Sequence, residues 1–367
     1  MRISILGTRG FPSSYGGFET LVRHLAPHLA KKGHEVTVFN RQDGVATRLN
    51  ASRMVQGVQV VPSKGFNGTT TSTLSHGLSS ALSTARTRPD VALVMNVANG
   101  FFLPALKLRG VPTVLNVDGI EWEREKWTPT GRRVFYSAAK MTAKWADTLV
   151  SDSEVIRSRW QQEFGRDSSF IPYGGDPEVP PSKTYLDELD LPVDGFALIV
   201  ARFVPENNVR LMLDAAVASH FPVVVVGSAQ GSALEAGLRA RHDPPQVYVV
   251  GHISDQHELS ALWSACGVYL HGHSVGGTNP ALVQAMGYGA PTLALDTPYN
   301  REVLDSPEQL VAGNVAMIAS RIRTLMTSPE TRARFRSNGE SRVEAVYNWS
   351  AVCNSYETVL TAAAIQR

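Results

Sequence analysis

Short apolar runs alternate along the chain with longer stretches whose apolar residues recur every three or four positions, the pattern of parallel sheets built from βαβ units. The first unit is explicit. "RISILG" reads as a buried strand, "GTRGFPSSYGG" as a long glycine-rich loop, and "FETLVRHLAPHLAKKG" as a helix. Phe18, Leu21, Val22, Leu25 and Leu29 fall on one face of that helix, and Gly33 supplies its stop. Pro27 is expected to kink it or to mark its last turns. Further strands are expected at "HEVTVFN", "DVALVM", "PTVLNVD" and "DTLVSDS". The stretch 174–195, rich in prolines, glycines and acids, reads as an interdomain connection. After it a second series begins: "FALIVAR", "PVVVVGS", "QVYVVGH", "GVYLHGH" and "APTLALD". The fold class is therefore α/β, with two open parallel sheets of similar size whose ligand-binding ends are expected to face a central cleft.

Length and composition agree with two domains. A chain of 367 residues exceeds one comfortable core, and 43% hydrophobic with 19% charged residues describes a globular, ordered protein. The formal charge of +2 implies no extended nucleic-acid footprint. Cys266 and Cys353 are too few for a disulfide framework or a cysteine-rich zinc site. "MRISILGTRG" holds an apolar run too short for a signal peptide, and no stretch is apolar over 18 residues, so a cytoplasmic address is expected. A peripheral seat at the inner face of the plasma membrane stays open.

The stretch with the clearest chemistry is "HSVGGTNPALVQAM", residues 273–286. Gly276 and Gly277 allow close backbone approach, Asn279 suits a helix N-cap, and Pro280 suits the first helical position. Such an entrance binds anions, although an ordinary capped helix would look the same.

Five ordered motifs carry a resemblance: "GTRGFPSSYGGFETLVRHLAPHL" near the start, "NVDGIEWEREKW" from Asn116, "IPYGGD" from Ile171, "ARFVPENN" from Ala201 and "HGHSVGGTNPALVQAMGYGAPTLA" from His271. Together they resemble bacterial glycosyltransferases of family 4, and more narrowly the rhamnosyltransferase-type branch that builds capsule and cell-surface polysaccharides. The resemblance implies the GT-B fold, with an acceptor-side domain over 1–175 and a nucleotide-sugar domain over 176–345. A terminal segment, 346–367, containing "NWSAVCNSYETVL", would return to the first domain.

It also implies roles. Arg202 matches an arginine that holds the donor diphosphate, and a planar, always charged guanidinium suits that task. A surface pair with Glu206 is the competing reading. Asn207 occupies the position of a second phosphate-binding cation, a lysine. Two glutamates that frame the helix entrance elsewhere fall on Gly276 and Gln284, leaving backbone N–H groups of Gly277, Thr278 and Asn279 to meet the leaving diphosphate. Gly16 and Gly17 would admit donor phosphate or acceptor, with a ligand-free turn as the alternative. Asp118 stands where many relatives have a sugar-contacting histidine, although a helix cap fits it nearly as well. His271 and His273 flank Gly272 at a strand end, and His273 is a candidate donor contact. The catalytic set is then Arg202, Asp118, Gly277 and Thr278.

No D-x-D triplet occurs, so no metal and no cofactor are expected, and a retaining front-face displacement is implied. The donor read from "PENN" and "HSVGGTNP" is dTDP-L-rhamnose. A 6-deoxy sugar on a 2′-deoxy nucleotide needs fewer polar partners, which suits Gly276 and Gln284. The acceptor would be a saccharide or a polyprenyl-linked saccharide. "GRRVFYSAAKMTAKW" sets Arg132, Arg133, Lys140 and Lys144 beside Phe135, Tyr136 and Trp145, either a membrane-interface surface or an ordinary amphipathic helix. Two other functions compete. A nicotinamide-dependent oxidoreductase lacks the full G-x-G-x-x-G and the ribose-binding acid. A non-catalytic sugar-nucleotide binder would explain the neutral Asn207 and Gln284.

Overall fold

The computed structural model describes residues 1–12, 16–41, 52–66, 69–125, 127–228 and 247–365. Ser13, Ser14 and Tyr15 of the expected glycine-rich loop and Lys126 of "EWEREKW" lie outside them. The chain divides into two compact units, Met1–Pro172 with Trp349–Arg367, and Tyr173–Asn348. These boundaries lie three residues from those read in the sequence.

The first unit runs β1 (Arg2–Leu6), α1 (Gly17–Lys31), β2 (Glu35–Arg41), β3 (Arg53–Val55), β4 (Val58–Ser63), α2 (Thr69–Thr87), β5 (Val91–Met95), α3 (Leu103–Leu108), β6 (Thr113–Asn116), α4 (Pro129–Trp145), β7 (Thr148–Ser151), α5 (Glu154–Phe164) and β8 (Ser169–Phe170). Its sheet has the order β3-β4-β2-β1-β5-β6-β7-β8, parallel except where β3 pairs antiparallel with β4. Strands covered on both faces read as continuous apolar runs, and "VALVM" of β5 is buried at every position.

The second unit holds α6 (Tyr185–Glu188), β9 (Ala197–Val200), α7 (Val209–Ser219), β10 (Val223–Val226), β11 (Val247–Gly251), α8 (Gln256–Ala265), β12 (Val268–His271), α9 (Pro280–Gly287), β13 (Thr292–Leu295), α10 (Pro298–Leu304), β14 (Leu310–Val311), α11 (Val315–Thr327) and α12 (Pro329–Val346). Its sheet, β11-β10-β9-β12-β13-β14, is parallel throughout. The last helix, α13 (Trp349–Ile365), belongs to the first unit. It stacks Trp349 on His24 of α1 at 3.9 Å and sets Glu357 against His34 at 3.2 Å. Among the described residues no helix is long and apolar enough to cross a membrane.

Two prolines lie inside regular elements. Pro27 falls in the last turns of α1, which ends at Lys31, as its sequence reading allowed, and the buried face Leu21, Val22, Leu25, Ala26 and Leu29 packs on both sides of the missing N–H. β4, which contains Pro62, was not among the expected strands. Among the described residues β3 pairs only with Val58–Val60 of β4, and Pro62 is matched in the ladder by Asn40 of β2 on the other side.

In each sheet the order reverses once, between β1 and β5 and between β9 and β12, which is where open α/β sheets bind ligands. α13 reaches the first of these regions. Buried Tyr356 accepts at its hydroxyl a bond of 2.6 Å from Asn116 Nδ2, and Asn116 Oδ1 accepts the Asp118 N–H at 2.9 Å. In the second unit, His271 is fully buried, shares a hydrogen bond of 3.0 Å with Tyr269 and stacks on His273 with centroids 4.3 Å apart.

Two outcomes follow. Tyr356→Phe leaves the buried Asn116 amide one partner short and is expected to cost about 1–3 kcal/mol, read from denaturant unfolding. A cost near zero would mean that water replaces the hydroxyl. Burial pushes the His271 imidazole down to about 3. The unfolded chain therefore takes up this proton near pH 6.5 while the fold resists it, so stability falls by about 1.4 kcal/mol per pH unit below that point. Thermal melts between about pH 7.5 and 4.5 should show His271→Phe less acid-sensitive than the wild type; equal slopes would show that His271 ionises in place.

Candidate functional site

The turn after β9 is built by its own polar side chains. Asn207 is 3% exposed, and its Nδ2 donates to the Arg202 carbonyl at 2.8 Å, while the Asn207 N–H donates to Val204 at 3.0 Å. This amends the reading of Asn207 as a phosphate contact. Its side chain is too short to leave the turn and is consumed in closing it. Arg202, with its carbonyl so engaged, is exposed, and among the described residues its guanidinium has no ion-pair or hydrogen-bond partner. The alternative pairing with Glu206 is not formed.

The segment after β12 lies against this turn. Ser274 donates to the Glu206 carbonyl through both its N–H, at 2.9 Å, and its Oγ, at 3.0 Å. Asn208, with φ at 49°, donates to the Gly272 carbonyl at 2.9 Å. Asn300 of α10 holds the other side, donating to His273 O at 3.1 Å and to Leu295 O at 2.8 Å. Sequence reasoning missed Ser274, Asn208 and Asn300; only the "NN" pair hinted at side chains that bond backbone.

At the helix entrance, Asn279 caps α9 as expected, its Oδ1 accepting the Ala281 N–H at 3.1 Å. The N–H groups of Gly277 and Asn279 make no hydrogen bond among the described residues, whereas the Thr278 side chain is buried at 3% exposure. Gly276 has φ at 132°, a conformation L side chains rarely adopt, and nothing lies within 4 Å of where a Cβ would stand. Glycine is required there by the backbone and not by crowding, so a glutamate could not take this place without reshaping the loop. Gln284 is half-buried one turn into α9, its amide without a partner among the described residues. His273 is half-buried against His271. Arg202, Asn207, His273, Gly276, Gly277, Thr278, Asn279 and Gln284 thus belong to one strand-order reversal in the second unit.

The remaining candidates belong to the first unit. Gly16, with φ at 117°, precedes α1, and a Cβ there would stand 2.1 Å from Glu19 Oε2. That carboxylate, 6% exposed, accepts the Arg9 N–H at 2.8 Å and so ties the loop after β1 to the helix that Gly17 begins. Asn40 clasps the same loop through the N–H and carbonyl of Phe11 at 2.8 and 3.0 Å. Asp118 is a half-buried, non-glycine residue in the left-handed region, φ 58°, and Asn96 at the end of the neighbouring β5 is another, φ 72°. Such strain gathers at working sites. The 3-10 turn Glu121–Glu123 that follows has Ile120 at its cap position, so Asp118 is not its cap. In α4, Phe135 turns inward while Tyr136 and Trp145 stay half-buried. Phe135, 7% exposed, packs on Trp127 with centroids 4.8 Å apart, and Tyr136 joins Trp122 and Phe164. Lys140 and Lys144 lie over the rings of Tyr136 and Trp145 at 4.7 and 5.3 Å. The apolar face of this helix is used by the protein's own core, as in any amphipathic helix.

Comparison with known proteins matches these two units one by one. A model described as a glycosyl transferase 4-like domain fits residues 16–174, and one described as glycosyl transferases group 1 fits residues 190–342. No curated protein matches in sequence. In fold the chain is similar to sucrose-phosphate synthase from Thermosynechococcus elongatus, with a TM-score of 0.81 and 19% identity over 98% of both chains. HepE from Anabaena, solved in complex with UDP, gives 0.76 and 18% identity over 99% of this chain and 100% of that one. α,α-Trehalose 6-phosphate synthase from Burkholderia multivorans gives 0.73 and 13% over 100% and 98%. With both domain models in tandem on a fold shared from end to end, the chain is a GT-B glycosyltransferase of family 4.

Proposed function

We propose that this glycosyltransferase moves L-rhamnose from dTDP-L-rhamnose, with retention of configuration and without a metal, to a saccharide or polyprenyl-linked saccharide acceptor. The observation that carries the donor half is the unpaired Arg202 guanidinium at the strand-order reversal of the second unit. A guanidinium left without a carboxylate, at the same strand-order reversal as unbonded helix-entrance amides, suits a diphosphate. HepE, solved with UDP, with UDP and glucose, and with UDP-glucose, offers a nucleotide-sugar precedent on the same fold. In the reaction, the diphosphate oxygen that leaves the anomeric carbon develops charge. Arg202 and the N–H groups of Gly277 and Asn279 are fixed donors for it, which stabilises the transition state without reorganisation. The acceptor hydroxyl enters on the face the diphosphate leaves, and the departing phosphate oxygen takes its proton. Rhamnose is favoured because a 6-deoxy sugar has one hydroxyl fewer to meet and position 276 does not take an acid without reshaping the loop, and dTDP because Gln284 is a weaker hydroxyl acceptor than a carboxylate. The turned-in Asn207 gives some support to a binder without turnover, since the second phosphate cation is missing.

Arg202→Ala is expected to lower kcat/KM by the equivalent of about 2–4 kcal/mol, with the melting point of the unliganded protein unchanged. A silent substitution would place the diphosphate elsewhere. The donor is tested by thermal shift and turnover with dTDP-rhamnose, UDP-glucose, UDP-N-acetylglucosamine and GDP-mannose, run in EDTA. Stabilisation and transfer are expected with dTDP-rhamnose despite the chelator. Preference for a UDP or GDP sugar refutes the donor, loss of transfer restored by magnesium refutes metal independence, and binding with neither transfer nor hydrolysis supports the binder.

A further inference from the structure

Glu206 has no place in the transfer described above, yet it is the most conspicuous acid of the second unit. It sits in the 3-10 turn Pro205–Asn207, 4% exposed, and among the described residues neither of its carboxylate oxygens has a hydrogen-bond partner. Burying a carboxylate with nothing donating to it is costly, and native proteins keep such groups where something else completes them. The turn around it is fastened to its neighbour. Its carbonyl accepts both bonds from Ser274, and Asn208 donates to Gly272, so the turn is fastened to the segment that ends two residues later at Gly276. Between Arg202 and Asn208 and between His271 and Gln284, Glu206 is the only acid. The space beside Gly276 is open for 4 Å around its missing Cβ.

We propose that the Glu206 carboxylate is the hydroxyl acceptor for the donor sugar. It acts from the 205–207 turn, because positions 276 and 284 carry no acid. The inference rests on the nucleotide-sugar reading above. A carboxylate accepts only, and a sugar edge with neighbouring hydroxyls offers it two donors at once, giving short, charge-assisted bonds. Arg202, four residues earlier in the same turn, would hold the diphosphate, so one turn addresses both the leaving group and the sugar attached to it. The carboxylate is covered in this structure, and the adjacent glycines Gly276 and Gly277 give the neighbouring segment the backbone freedom to admit a ligand.

Calorimetric titration of dTDP and of dTDP-L-rhamnose, or of whichever nucleotide sugar the donor panel selects, separates the roles. Glu206→Gln keeps the shape and removes the charge. It is expected to leave dTDP affinity within about twofold and to weaken the nucleotide sugar about tenfold or more, the scale of one lost charged hydrogen bond. Glu206→Asp, which keeps the charge but withdraws it, should give the same split and serves if the glutamine variant does not fold. A donor analogue lacking the contacted hydroxyl should bind the wild type and Glu206→Gln alike. Equal losses for dTDP and for the nucleotide sugar, or no loss for either, would overturn the proposal and make Glu206 a support of the turn. A wild type that binds dTDP but no nucleotide sugar would refute the underlying functional reading instead.

Discussion

The second unit depends on the bonds that fasten the turn after β9 to the segment after β12. Where strand order reverses, the two chains leave the sheet in opposite directions and have no ladder neighbour to hold them. Ser274, Asn208 and Asn300 replace that ladder with side-chain bonds to Glu206, Gly272 and His273. Because Asn207 closes the turn on the Arg202 carbonyl, the geometry of the turn does not consume the guanidinium. A group held by its backbone and left unpaired at its tip is what anion recognition requires, since the desolvation and pairing are reserved for the ligand.

The first unit solves the same problem with different residues. Glu19 and Asn40 hold the loop after β1, one from the following helix and one from the end of β2. The end of β6 is held through Asn116 by Tyr356, a residue 240 positions later in the chain. The strained backbone of Asp118 thus leans on α13, so the return of the terminal helix to the first unit supports a candidate site as well as a core. In both units asparagine is the recurring fastener, because its short amide both donates and accepts and tolerates the left-handed region.

Polar turns and strain explain where sequence reasoning about the site succeeded. Asn279 before Pro280 is a local signal, complete within three residues, and it capped α9 as read. Arg202 was also placed correctly at a strand end. Whether it pairs with Glu206, and whether Asn207 faces outward, depended on hydrogen bonds within the folded turn and could not be read from spacing. The aromatic residues of α4 mark the same limit: periodicity sets out Phe135 and Tyr136 along the helix, but packing on Trp127 decides that Phe135 is inside, while Tyr136 stays half-buried between Trp122 and Phe164.

The sequence by itself determined the two mainly parallel sheets, ten of their strands and the tandem arrangement, because continuous apolar runs and helical spacing are local consequences of burial; β3, β4, β8 and β14 carried no such run. The tertiary structure decided that Pro62 stays within a strand, paired in the ladder with Asn40 of β2. It also decided which polar groups are spent and which are spare. Arg202 is exposed and unpaired while Glu206 is buried and unpaired, a distinction fixed only when distant segments compete for the same hydrogen-bonding partners.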